Sequence, residues 1–245
     1  MAEVLITLGV IGVVAAMTIP TLAKNYYKHT VEVQLAKTYS ELANAIKLSE
    51  IENDSFRYWD YESDAENFAT RYILPYLAKD WKPCRGWVNS PCFRDKWSYT
   101  LPNGTYHDFD HHLPRYKYNG RTMAFSVTVY KDNCNSDFPG ICTTPMFADF
   151  IIDVDGDKGP SILGIDVHSF TLVNYIRKPG WGGGGEYYGL HPGSTGDLYA
   201  FYKRSDEEVK YLCATVNAHG QNPRLCTILL QRNGWKFHKD YQIKF

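Results

Sequence analysis

The residues with the most obvious chemistry lie in the stretch DVDGDKG, where Asp153, Asp155 and Asp157 recur at every second position. Alternating carboxylates converge on one hard cation at the start of a calcium loop. Asp166 would then add a late ligand from the returning strand. The pattern is incomplete, because Lys158 stands where an EF-hand has Gly and Gly164 where it has an acid. The same residues also serve as a plain Asp/Gly turn, so a calcium site and a turn both remain open. A second ligand-rich stretch runs His107-Asp108-Phe109-Asp110-His111-His112. Imidazole and carboxylate hold zinc, but helical His spacing and a Glu base are missing, and a solvated loop is the other reading. No Gly-x-Ser-x-Gly or Cys-Gly-Ser-Cys context occurs. The run Trp181 to Gly185 has no Lys-Ser/Thr after its glycines, so it is not a phosphate loop. No catalytic residue is assigned, and an enzyme is not expected.

The 26 Lys+Arg and 27 Asp+Glu nearly balance. Phosphate binding would show as a basic excess, so a nucleic-acid partner is not indicated. The 44% hydrophobic content marks a globular chain. Six cysteines fall into three close pairs, Cys84 with Cys92, Cys134 with Cys142, and Cys213 with Cys226. Local pairing is the simplest of the many connectivities, and none has Cys-x-x-Cys spacing. An oxidising compartment follows, with reduced, buried cysteines as the alternative.

These groups need elements to carry them. Val4 to Ala23 contains no charged side chain, and about 20 apolar residues suffice to cross a bilayer as a helix. A removed signal peptide would need a basic start and a small-residue cleavage site; here Glu3 precedes the run, and Pro20, Lys24 and Tyr26 continue it. From Val31 the apolar positions Leu35, Tyr39, Leu42 and Ile46 mark one helical face, fading at Ser49 or Glu50, while Lys37, Glu41, Asn44 and Lys47 mark the other. The spacing predicts one helix from Glu3 to about Glu52, roughly 75 Å long. Its first half is apolar all round, and its second half packs on a domain. Pro20 removes a hydrogen bond and is expected to kink or locally melt it. Gly9 and Gly12 permit close helix contact.

AEVLITLGVIGVVAAMTIPTL (Ala2–Leu22) resembles the N-terminal methylation segment of the type IV pilin and type II secretion pseudopilin superfamily, in both its acid and its acid-to-proline spacing. Asp149 to Phe170 and the closing Asn233 to Tyr241 are similar to a pseudopilin-like branch. The family usually begins with an aromatic or Met and then Thr-Leu, and here Met1 directly precedes Ala2. The resemblance implies that Glu3 neutralises the amine of a neighbouring subunit and that the helices bundle into a homo-oligomeric helical filament. It also implies a prepilin peptidase, a pilus or secretion assembly machinery, an inner-membrane stage, and a final place at the cell surface or in the periplasm. Lys24 and Lys28 alone would hold the head in the cytoplasm; a basic leader upstream would reverse that bias. The reading from another class is a membrane-anchored extracytoplasmic binding protein or enzyme that uses the helix only as an anchor.

Residues 1–30 therefore form the membrane or filament-core half, and 31–245 a pilin-like head that includes the amphipathic helix half. Ser63 to Glu66 reads as a capping box opening a short helix with Phe68, Tyr72 and Leu74 on its apolar side. Alternation predicts strands at Trp97–Leu101, followed by an Asn103-Gly104 turn, and at Phe125–Val129, FADFIIDV, SFTLVNYI and CTILL. The expected class is α+β: a long N-terminal helix packed on an antiparallel sheet, with disulfide-closed loops.

Overall fold

The computed structural model describes residues 2–77, 81–84, 98–101, 106–108, 113–118, 120–129, 146–156, 159, 161–177, 185–194, 201, 203–213, 222–241 and 243. The first element is α1 (Ala2–Asn53), 52 residues long. It runs through Pro20 without losing helical structure. Proline deletes one rung of the ladder, and a turn back Thr18 Oγ1 donates to the Val14 carbonyl at 2.9 Å. Asp54 ends the helix in a left-handed conformation at φ 60°.

The expected stripe faces the core. Val31, Leu35, Leu42, Ile46 and Ser49 are buried, joined by Thr38 and Ala45, and Tyr39 is half-buried. Burying each leucine contributes about 1.5–3 kcal/mol. Lys37, Asn44 and Lys47 face out as expected. Glu41 does not, for the reason given below.

The face that α1 covers belongs to a six-stranded antiparallel sheet. Its strands are β1 (Lys82–Pro83), β4 (Arg115–Tyr118), β5 (Arg121–Val129), β6 (Met146–Asp153), β7 (Val167–Arg177) and β8 (Gly185–Pro192), adjacent in that order. Period-two alternation sends Met123, Phe125, Phe150, Ile152, Phe170 and Leu172 into the cluster that holds Leu35 and Leu42. The opposite face carries a smaller cluster of Leu101, Ala124, Leu163 and Val167. Strands β2 (Ser98–Thr100) and β3 (Tyr106–Asp108) form a separate hairpin that pairs Tyr99 with His107. Its turn at Asn103-Gly104 lies outside the described residues.

Three local expectations change. The cap of α2 (Ala65–Phe68) is Asp64, one residue past Ser63, and it accepts from Asn67 N at 2.9 Å. The helix then continues as a π turn over Ala69–Ile73, burying Tyr72 and Ile73. A helix with no counterpart in the sequence reading, α3 (Asp206–Leu212), opens on a Ser205–Glu208 capping box. CTILL, expected as a strand, is instead helix α4 (Cys226–Arg232). Short apolar runs carry no decisive period. Here the start at Asn222-Pro223 and the stop at Gly234 decide for helix, and both α4 and its flanking turn are buried against α3 and Ile243.

Arg121 opens β5 on the side facing α1. It is 1% exposed. Its Nη1 donates to Thr38 Oγ1 at 2.7 Å and lies 2.8 Å from Glu41 Oε2. This contact pulls Glu41 from the solvent face toward the sheet. A buried pair adds little net stability, but breaking one side strands the other charge. Glu41→Ala should therefore cost about 3–5 kcal/mol, while Glu41→Ala/Arg121→Met should recover most of that loss. Chemical denaturation of the detergent-solubilised chain, with both variants beside the parent, checks this.

Candidate functional site: the joint between helix and head

The residues that join α1 to the head form the best-defined functional feature. Before Tyr27 the helix touches little. Val4, Ile6, Leu8, Val10, Ile11, Met17, Ile19 and Leu22 are each more than half exposed. A Cβ placed on Gly9 or Gly12 would meet nothing within 4 Å, so both glycines sit on open faces. The side chain of Glu3 lies outside the described residues. Among the described residues, one helix, near the N-terminus, is long and apolar enough to span a membrane.

At Tyr27 the shaft meets the head. The Tyr27 hydroxyl lies 2.9 Å from Asp155 Oδ2 and 2.8 Å from Asp166 Oδ2. One turn on, Glu32 Oε1 accepts from Phe237 N at 2.9 Å. Phe237 reaches it because Gly234 and Trp235 both turn left-handed at φ 64°. That conformation is costly for a bulky residue. It places Trp235 against Tyr39 with ring centroids 4.9 Å apart, and Tyr39 against Phe170 of β7 at 5.6 Å. The closing NGWKF segment thus clamps the helix onto the sheet.

The acidic loop is a braced turn. Asp153 Oδ1 accepts from Asp155 N at 3.2 Å and Gly156 N at 2.7 Å, and Oδ2 accepts from Ser161 Oγ at 2.7 Å. Asp166 Oδ1 accepts from Ile162 N while Oδ2 faces Tyr27. Gly156 is required there, because at φ 62° any Cβ would stand 2.1 Å from the Gly120 carbonyl oxygen. Calcium takes six to eight oxygen ligands; both Asp153 oxygens and Asp166 Oδ1 accept from protein donors. Asp157 lies outside the described residues, and among those described no three His, Cys, Asp or Glu side chains are placed to hold a metal.

Burial, and then the Asp166 charge, push Asp153 well above the usual carboxylate range. Burial, and then Asp155, raise Asp166 to about 7. The geometry agrees, since one tyrosine hydroxyl has one proton for two short oxygen contacts. A protonated Asp166 supplies the second. On β7, His168 is fully buried between the Ile165 carbonyl at 2.8 Å and Thr227 Oγ1 at 3.2 Å. Burial lowers its pKa to about 4, against the raising effect of the Ile165 contact.

The remaining expected residues divide. Cys213 and Cys226 are bonded, with Cα atoms 4.7 Å apart, and tie α3 to α4. Cys84 is also disulfide-bonded; Cys92, Cys134 and Cys142 lie outside the described residues. His107 sits on β3, and residues 109–112 lie outside the described residues. A polar pocket of about 400 Å³ is lined by Asp60, Ser63, Asn67, Thr70, Arg71 and Tyr72, away from the joint. Sequence reasoning missed Tyr27, Glu32, Glu41 and Arg121. Two of them had a signal: Tyr27 precedes Val31 by four on the buried stripe, and Arg121 alternates with Met123 and Phe125.

Together these features define an α+β head packed on a helix long and apolar enough to cross a membrane. Residues 21–139 match the model of a family of unknown function, DUF6613. No curated protein and no solved structure matches the chain.

Asp166, which Asp153 follows in direction, and His168 titrate with opposite signs. Asp166, raised in the folded state, contributes stability below about pH 4 that is lost as pH rises toward 7. His168, depressed, contributes stability above about 6.5 that is lost as pH falls toward 4. Asp166→Asn keeps the acceptor for Ile162 N and offers a donor to Tyr27. It should raise stability at pH 8 by about 2–4 kcal/mol and make the loss of stability with rising pH shallower, the remainder belonging to Asp153. Thermal melts across these pH values, parent against variant, read both effects.

Proposed function

We propose that this chain is a structural subunit, not an enzyme, of a type IV pilus or type II secretion pseudopilus-like filament that assembles through α1. The observation that supports this most is the absence of a hinge in α1. Its exposed apolar half continues as the same helix into a half held by the Arg121 contact, the Tyr27 contact and the Glu32 clamp. An anchor that only tethers a domain needs a flexible linker at this point. A filament subunit needs the opposite, because the orientation of the shaft fixes where every head sits. The resemblance of Ala2–Leu22 to a prepilin-type methylation segment supports the same reading. It brings a prepilin peptidase, an assembly machinery, an inner-membrane stage and a surface or periplasmic end point into the proposal.

In a bundle of such shafts the apolar side chains of α1 contact one another, Gly9 and Gly12 admit close approach, and Glu3 pairs with a neighbour's amine. Glu3→Ala should leave the head folded, because head contacts begin at Tyr27. Membrane partition should hold or rise slightly. Assembly should drop sharply, since stranding the partner charge in dry surroundings costs about 3–5 kcal/mol per contact. The expected result is normal membrane levels with few filaments by electron microscopy. Wild-type filament numbers would remove Glu3 from the assembly role and favour the simple-anchor reading.

A further inference from the structure

The structure brings two basic segments, distant in sequence, to one level at the base of the head. Lys24, Lys28 and His29 follow the apolar run on α1. Lys236, His238 and Lys239 flank Phe237, whose backbone N–H is held by Glu32 and whose ring lies 5.6 Å from Lys28 Nζ. The two groups therefore lie side by side within about 12 Å along the shaft axis, at 1.5 Å per residue from Lys24 to Glu32. Lys24, His29, Lys236, His238 and Lys239 are all exposed.

The acids at this level are engaged. Glu32 accepts from Phe237 N and lies 3.6 Å from His29 Nδ1. Asp240 pairs with Lys210. Asp155 and Asp166 turn to Tyr27. Among the described residues, Lys24, Lys236 and Lys239 make no ion pair. A cationic collar therefore lies along the side of the shaft that meets the Phe237 segment, just where Val4–Ala23 ends.

We propose that this collar binds the anionic phospholipid headgroups of the leaflet from which α1 emerges, and so sets the depth and tilt of the subunit before assembly. The inference rests on the membrane stage of the proposed function and not on filament formation. Its occupant follows from position and charge. Side chains that directly follow a membrane-length apolar run meet headgroups first. Each lysine at an anionic surface strengthens association roughly fivefold, and screening removes the effect at high salt.

The test uses the full chain reconstituted in phosphatidylcholine vesicles containing spin-labelled phosphatidylglycerol or spin-labelled phosphatidylcholine. Electron spin resonance reads which lipid is held beside the protein. The parent should prefer phosphatidylglycerol by about fivefold or more, and 0.5 M salt should reduce that preference. K24Q/K236Q/K239Q, which alters exposed side chains only, should bring it close to unity. Lys47→Gln, remote from the collar, should leave it unchanged. An inserted parent with equal preference, or a triple variant that keeps the preference, overturns the collar. Equal preference together with loss of filaments in the triple variant would assign these lysines to a neighbouring subunit and also overturn it. A chain that alkaline carbonate strips from the vesicles fails earlier, at the membrane reading, and takes the collar with it.

Discussion

The constraint behind the rest of the structure is that α1 is about twice as long as the surface available to cover it. Fifty-two residues form one helix, and the head covers it only from Tyr27 onward. Leaving more than twenty residues of apolar helix in water is strongly unfavourable at about 25 cal/mol per Å². Among the described residues nothing else covers it, and the sheet face is filled by Leu35, Leu42 and their neighbours. Lipid or other shafts, as proposed, would cover the exposed shaft. The contacts at the joint hold α1 against the head from Tyr27 onward.

The joint is built from polar contacts laid over an apolar seam. The seam supplies the stability, and the polar contacts supply register. Glu41 and Arg121 fix the rotation of α1 against β5, since a helix turned by one residue would move Glu41 away from the guanidinium. Tyr27 fixes its height against the acidic loop. Glu32 fixes the closing segment after α4. None of these contacts gains much free energy once desolvation is counted. Each excludes alternative packings of a helix whose apolar stripe alone would tolerate a slip. Asp153 and Asp166 add a cost, because burial raises their pKa values and works against the folded state at neutral pH.

The large features were legible in the residues because they depend on period and length. The helix, its buried stripe, the antiparallel strands and the α+β class all come from patterns of 3.6 or 2. What was misread depends on contacts between distant segments. Cys226 to Leu230 read as a strand, because five consecutive buried residues have no period; the helix there is decided by a Pro start, a Gly stop and the surface it fills. Glu41 read as solvated, because its partner lies 80 residues on in β5. Asp153, Asp155 and Asp166 read as cation ligands or as a turn, and the fold adds what no local pattern shows, donors from Gly156, Ser161 and Ile162 on Asp153 and Asp166. Tyr27 was placed with the membrane half, because nothing local shows that two carboxyls wait for its hydroxyl. A charge or hydroxyl on a helix face has no address until the fold supplies its partner.

The central claim is that the exposed half of α1 is buried by identical halves from neighbouring subunits. Cryo-electron microscopy of filaments sheared from cells expressing the chain, with mass spectrometry of their subunits, addresses it most directly. The account predicts this chain in the filaments, with residues 2–26 of adjacent copies packed as helices about 8–10 Å apart and the head oriented on the shaft as described here. Filaments that lack the chain, or a chain recovered only as separate subunits in the membrane, would contradict it.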